Sequence, residues 1–309
     1  MKHTLFIICL MLFSCALSQE FSEREVEIGE IKGTLSEPDK KAKVAILMIS
    51  GSGPTDRDGN STLGFTNNSL KMVAEQLASA GFAVLRYDKR GIAASKEAVE
   101  NPSDHRFEHL VEDARNWLYF LNEAGYKRLI VVGHSQGSLV GMMAAQGNPN
   151  VKGFVSLAGL ADDAGETIVR QMKAQSPALA EDAKVNIDSI KAGFEVKKFN
   201  LLLVSLFGPN TQPFLKSYIA YSPIEQIKKL DIPVLIINGT TDLQVDVDQA
   251  QSLHEASRQS ELFIIEGMNH VLKDSPIEDT AANLATYNNP DLPLSQGLMD
   301  SVIKFIKKR

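Results

Sequence analysis

Gly133-His134-Ser135-Gln136-Gly137, set between the apolar run Arg128-Leu129-Ile130-Val131-Val132 and the small-residue run Ser138 to Ala145 (SLVGMMAA), decides how the chain is read. A serine lifted out of a sharp strand-to-helix turn has a strained backbone and close neighbours, so the positions two before and two after it must be nearly free of side chain. Gly133 and Gly137 fill those positions. The helix that follows aims its free N–H groups and positive dipole end at any negative charge developing beside Ser135, as an acyl-transfer transition state requires. Hydrolysis by an activated serine is the first expectation. An ordinary glycine-rich turn is the alternative for the same five residues.

Working outward, short and nearly all-apolar runs recur: VAILMIS (44–50), FAVLRYD (82–88), RLIVVG (128–133), GFVSLAG (153–159), PVLIING (233–239) and LFIIEG (262–267). Strands apolar on both faces belong to a parallel sheet covered by helices. Helical patterns lie between them, NSLKMVAEQLASAG, FEHLVEDARNWLYFLNEAG and VDVDQAQSLHEAS, with Gly81 and Gly125 placed for left-handed caps. Before the first run, REVEIGEIKGTLSEP alternates polar and apolar residues around Gly29 and Gly33, as two antiparallel strands with a tight connection would. The fold class expected is α/β, an open wound sheet.

One interval breaks the rhythm. Residues 160–230 contain no clear strand but carry helical stretches such as GETIVRQMKAQ and EDAKVNIDSIKAGF, which suggests a helical cap inserted after the fourth parallel strand. The cluster FNLLLVSLFGP, with Phe214 and Tyr218 beyond it, is either the pocket wall facing the serine or the cap's own core. The expected organisation is a signal segment at 1–18, core at 19–159, cap at 160–230 and core again at 231–309.

The first eighteen residues have a basic start, an apolar middle and the small-residue exit Ala16-Leu17-Ser18, the pattern of a secretory signal. They are too short for a permanent membrane span, which needs about 20 apolar residues. Both cysteines, Cys9 and Cys15, fall here, so the cleaved chain would hold neither thiol nor disulfide. LFSC is alternatively a lipobox that would anchor the chain through Cys15, although Phe13 is bulky for its position. Either route leads out of the cytoplasm, to a secreted or periplasmic protein.

The chain has 309 residues, 44% hydrophobic and 23% charged, with a formal net charge of -6. These are the proportions of a globular protein, one α/β domain with an insertion. With no basic cluster beyond the terminal KKR, nucleic acid is not an expected partner. The net charge makes a small neutral or cationic substrate the easier one to admit. The scattered histidines resemble no metal ligand set.

A serine hydroxyl needs a base within reach and a third group to orient that base. Of the six histidines, His3 lies in the signal, His105 and His109 on a helix or its approach, and His254 mid-helix; His134 adjoins the serine, its side chain expected to point elsewhere. His270, in the loop EGMNHVLKD after the last strand, is placed where loops converge at the carboxyl end of the sheet. For the acid, PVLIINGTTDLQVDVDQ offers Asp242, three residues past Gly239 in the loop, with Asp246 and Asp248 reading as helix-start residues. The oxyanion hole takes one N–H from Gln136 and one from the loop Ser50-Gly51-Ser52-Gly53-Pro54, with Ser52 favoured and Gly53 in reserve. The rival reading of that loop, a phosphate cradle, lacks a Lys-Ser/Thr pair.

GHSQG, SGSGPTDRDGN, RYDKRGIAAS, INGTTDLQV and MNHVLK, in this order, resemble the secreted bacterial esterase branch of the α/β-hydrolase superfamily, which is also similar to serine aminopeptidases and lysophospholipase-like hydrolases. The likeness runs from about Val44 onward and takes in QPFLKSYIAYSP and NLATYNNPDLPL. It implies a mostly parallel, eight-stranded sheet, a triad carried here by Ser135, Asp242 and His270, and hydrolysis of short-chain carboxylic esters without a cofactor. One departure is that Ser50 stands where the family's oxyanion loop usually starts with histidine, so that loop needs another support. Asp88 and Arg90 are expected to tie loops together as a partly buried ion pair. Asp56, Arg57 and Asp58 are expected to brace the oxyanion loop, Arg57 being alternatively a clamp for a substrate carboxylate. An aminopeptidase would need an acidic cluster for a free amino terminus, for which Asp162, Asp163 and Glu166 are candidates unless they start a helix.

Overall fold

The structure, a computed structural model, describes residues 21–61, 63–276 and 278–309. The signal segment expected at 1–18, with Cys9, Cys15 and the lipobox alternative, lies outside the described residues.

Strand β1 (Phe21–Ile28) turns through Gly29-Glu30 into β2 (Ile31–Pro38). Gly29 supplies the positive φ of +57° that this turn needs, while Gly33 sits inside β2 opposite Val26. The chain then winds through β3 (Ala45–Ile49), α1 (Ser69–Ser79), β4 (Ala83–Tyr87), α2 (Phe107–Glu123), β5 (Leu129–His134), α3 (Gln136–Ala145) and β6 (Val151–Leu157). Between β6 and β7 (Val234–Gly239) come α4 (Ala164–Gln175), α5 (Pro177–Lys191), α6 (Val204–Phe207), α7 (Gln212–Tyr218) and α8 (Pro223–Ile227). After β7 follow α9 (Val247–Ala256), β8 (Ser260–Ile265), α10 (Thr280–Ala285) and α11 (Leu298–Lys307). The eight strands form one sheet in the order β1-β2-β4-β3-β5-β6-β7-β8, antiparallel at β1/β2 and β2/β4 and parallel throughout the rest.

The apolar runs of β3 to β7 are buried on both faces because the sheet is a middle layer, whereas the edge strand β8 leaves Phe263 and Ile264 exposed. In β3, Leu47 and Ile49 face a core shared with α2 and α3, whereas Ile46 and Met48 face one shared with α1 and α11. Strand β5 repeats the alternation, Leu129 and Val131 against Ile130 and Val132. The helices answer at helical spacing: Leu70, Val73, Ala74 and Leu77 on α1, and Leu110, Ala114, Trp117, Leu118 and Leu121 on α2. Burying each such large side chain contributes about 1.5–3 kcal/mol before ordering costs. Gly81 and Gly125 end α1 and α2 with φ of +94° and +98°. Parallel strands put every loop that follows β3, β5, β6, β7 and β8 at one edge of the sheet, where the chemistry-bearing residues meet. Among the described residues no helix is long and apolar enough to cross a membrane.

Candidate active site

Ser135 joins β5 to α3 with φ 53° and ψ -121°, a conformation that costs a residue with a side chain on the order of 1–3 kcal/mol. The surroundings hold it there. Its N–H donates to the Leu157 carbonyl at 2.9 Å, and its carbonyl accepts from Ser138 N at 2.9 Å. A Cβ on Gly133 would sit 2.3 Å from the Gly137 carbonyl oxygen, and one on Gly137 would sit 2.3 Å from that of Ile49. Two glycines are therefore the condition for packing this turn against β3. Gln136, the first residue of α3, is placed with its N–H among the unpaired donors of the helix start.

Asp242 and His270 arrive from the loops after β7 and β8. His270 Nδ1 lies 2.8 Å from Asp242 Oδ2, with the Asp242 side chain fully buried and that of His270 only 6% exposed. Asp242 Oδ1 accepts from the N–H groups of Gln244 (2.8 Å) and Val245 (2.9 Å), which aims the other oxygen at the histidine. A carboxylate so held accepts the Nδ1 proton and leaves His270 Nε2 as the free, basic nitrogen. Asp246 instead caps α9 through Gln249 N, and Asp248 lies in its first turn. The two loops are laced together: Thr241 N–H donates to the Met268 carbonyl, and Asn283 Nδ2 to that of Thr241 at 2.7 Å. Asn269, wholly buried, donates to Thr286 Oγ1 at 2.6 Å and Asn283 Oδ1 at 3.2 Å. The NLATYNN segment thus clamps the loops that carry Asp242 and His270.

The loop after β3 passes directly over the serine, since a Cβ on Gly51 would lie 3.2 Å from Ser135 Cβ. Ser52 and its neighbour Gly53 line the space in front of Ser135. The support this loop was expected to need in place of a histidine comes from Lys89, at the end of β4. Its buried Nζ donates to the Gly51 carbonyl, to Ser50 Oγ (3.3 Å) and to the Thr55 carbonyl (3.2 Å). Burial pushes the Lys89 ammonium down to about 7, against the opposing pull of Asp88 and Asp56.

Two cavities meet at Ser135. The larger, about 830 Å³, is walled by Leu160, Ile168, Met172, Leu206, Phe214 and Tyr218 among others. The smaller, about 140 Å³, holds His270 with Gly51, Phe65, Gln244, Val271 and Tyr287. Ser52 and Ser135 line both. The cluster FNLLLVSLFGP divides: Leu206 joins Phe214 and Tyr218 on the cavity wall, while Leu203 and Phe207 are buried in the core. Among the described residues Ser135 Oγ makes no direct hydrogen bond to His270, although both line the smaller cavity; such contacts often tighten only around substrate.

The family model described as "alpha/beta hydrolase fold" matches residues 59–206, a span that includes Ser135. This chain has the α/β-hydrolase fold. Among solved structures, the Pyrococcus furiosus esterase Pf2001 is similar at 18% identity and TM-score 0.55, covering 82% of this chain and 84% of its own. A bromoperoxidase from Bacillus anthracis is similar at 17% identity and TM-score 0.54, covering 93% and 100%. A puromycin-hydrolyzing peptidase of Mycobacterium tuberculosis is similar at 18% identity and TM-score 0.55, covering 82% of this chain but 36% of its own. At such identities the likeness is one of fold. No curated protein sequence matches the chain.

Several charged residues have contacts other than those expected. Asp88 and Arg90 are not partners: Asp88 accepts from Arg57 N (2.8 Å) and Nη2 (3.0 Å), whereas Arg90 pairs with Asp113 on α2 at 2.5 Å. Arg57 is taken up by Asp88, Glu25 and Thr34, which leaves no fork for a substrate carboxylate and makes it part of the brace on the oxyanion loop. Asp58 reaches Arg86 at 2.8 Å. Removing one member of a buried pair strands the other charge, so Asp88→Ala is expected to lower unfolding free energy by about 3–5 kcal/mol in denaturant titrations. Asp163 caps α4 and holds Lys191, and Asp162 pairs with Arg170, so the acidic cluster is consumed within the cap. The larger cavity is lined by Lys89, Arg90 and Lys96 and by no carboxylate among the described residues, which removes the cationic half of the expectation drawn from net charge.

His134 is the residue that sequence reasoning misjudged. Its Nε2 donates to the His270 carbonyl at 2.8 Å, so it positions the base loop instead of pointing away. Burial, reinforced by repulsion from His270, pushes it down to about 3, which keeps it neutral. Lys89 was also missed, the only hint being a lysine inside the strand-end cluster YDKRG. Lys89→Met is expected to lower kcat about tenfold to hundredfold, because the loop after β3 loses its support. Its stability effect has a defined sign. The folded-state value of about 7 lies below the ordinary 10.5, so the unfolded chain binds the extra proton between those limits and stability rises with pH there. Denaturation of Lys89→Met across that window should show a flatter profile.

Proposed function

We propose that this protein is a serine hydrolase of carboxylic esters, acting through Ser135, His270 and Asp242. The observation that carries the proposal is the strained Ser135 beside a histidine whose Nδ1 is held by a buried carboxylate. His270 Nε2 takes the Ser135 proton as Oγ attacks the ester carbonyl, and the N–H groups of Gln136 and Ser52 receive the oxyanion. His270 then gives that proton to the leaving alcohol, and water admitted to the same place releases the acid by the reverse sequence. Asp242 fixes the tautomer throughout. No cofactor takes part in these steps.

The domain organisation proposed is that of an exported enzyme: a signal at 1–18, a core of 19–159 and 231–309, and a cap at 160–230. Export as a lipoprotein through Cys15 is the competing route. An amide hydrolase recognising a free amino terminus is disfavoured, since Asp162, Asp163 and Glu166 are engaged with Arg170, Lys191 and the start of α4. The test is a p-nitrophenyl ester series run beside aminoacyl anilides on the wild type and Ser135→Ala. Ester cleavage lost in the variant is expected. Cleavage of anilides alone would replace the ester assignment with a peptidase, and failure of Ser135 to take a fluorophosphonate would leave only a binding protein.

A further inference from the structure

Ser135 stands at the junction of two cavities that differ sixfold in size, and His270 lines only the smaller. That asymmetry bears on which half of an ester goes where. In acyl transfer the leaving oxygen must receive its proton from the base, so the alcohol has to project from the carbonyl on the side of His270. His270 is itself 5% exposed, and the space beside it, about 140 Å³, is lined by Phe65, Val271, Gln244 and Tyr287. Gln244 Nε2 donates to the Tyr287 hydroxyl at 3.1 Å, which fixes the far wall. The acyl group, opposite, has the cap cavity, where Ile168, Met172, Leu206, Phe214 and Tyr218 present apolar surface.

We propose that the two cavities sort the halves of the substrate, so that the preferred esters join a bulky apolar acid to a small alcohol of the size of methanol to propanol. The inference rests on the ester-hydrolase proposal above and departs from the expectation of short acyl chains. The acyl chain remains on Ser135 Oγ within the cap cavity when the C–O bond to the alcohol breaks. The protonated alcohol leaves by the small cavity. Water then takes its place beside His270, loses a proton to Nε2 and adds to the acyl carbon, and Ser135 Oγ departs with that proton.

The test uses two isomers, methyl octanoate and heptyl acetate, which have identical atoms and exchanged halves. The wild type is expected to hydrolyse methyl octanoate with a kcat/KM about tenfold or more above that for heptyl acetate, the scale on which an apolar pocket discriminates chains. Two wall variants probe each cavity separately, with active sites counted by fluorophosphonate titration so that misfolded protein is excluded. Tyr287→Ala should raise kcat/KM on heptyl acetate, and Met172→Trp should lower the ratio of methyl octanoate to methyl butyrate cleavage. Equal rates on the isomers, or preference for heptyl acetate, would overturn the sorting and leave the ester hydrolase standing. Cleavage of neither ester, with anilide turnover intact, would overturn both.

Discussion

Ser135→Ala is expected to cut kcat by about 10⁴- to 10⁶-fold, the range in which loss of a serine nucleophile disables a unit of cooperating groups. Its thermal unfolding should stay close to wild type. The Ser135 backbone makes the contacts that hold the turn, donating to Leu157 and accepting from Ser138, and none of them involves the hydroxyl. Alanine also has no greater difficulty than serine with φ 53°, since both carry a Cβ. The pairing of near-complete loss of turnover with an unchanged melt is what separates a nucleophile from a structural serine. A variant retaining a tenth of wild-type activity would remove Ser135 from the chemistry.

Gly137→Ala carries a large expected effect on stability. The new Cβ would lie 2.3 Å from the Ile49 carbonyl oxygen and 2.7 Å from that of Ser50. Both are backbone atoms at the end of β3, so neither can move without lifting α3 off the sheet or displacing the loop that bears Ser52. A loss of about 3–5 kcal/mol in unfolding free energy is expected, in the class of substitutions that force overlap in a packed core. Activity per folded molecule should fall as well, because Ile49 and Ser50 lead into the oxyanion loop. Gly147→Ala is the control: at φ +72° with open space around it, it should cost only about 1–2 kcal/mol and leave kcat unchanged. Equal destabilisation by the two substitutions would mean that backbone conformation, and not the close approach of α3 to β3, governs Gly137.

Much of this was legible in the sequence for identifiable reasons. The six apolar runs became six parallel strands because a strand covered on both faces leaves no room for alternation, and the run itself is then the signal. Asp242 and His270 were singled out because each follows a strand end, and they lie 2.8 Å apart; Asp246 and Asp248 fall at the start of α9, while His134 closes β5. What escaped notice were contacts made across long sequence separations by side chains with unremarkable local patterns. Lys89 reaches Gly51 from 38 residues away, and His134 reaches His270 from 136. Neither residue sits in a spacing that announces a partner. Arg57 and Arg90 were likewise assigned by proximity in the chain, whereas their carboxylates come from β4's end and α2. The division of labour between the two cavities is less legible still, because it depends on which loop closes over His270, and Phe65, Gln244 and Tyr287 come from three separate segments.

The central claim is that an acyl group passes through Ser135 on its way to water. Rapid mixing of the enzyme with a p-nitrophenyl ester, followed by acid quench and peptide mass mapping, tests it most directly. The account predicts a burst of p-nitrophenol equal to the active sites and a matching acyl mass on the peptide containing Ser135. Steady hydrolysis without a burst or adduct at any quench time, together with turnover surviving in Ser135→Ala, would contradict it.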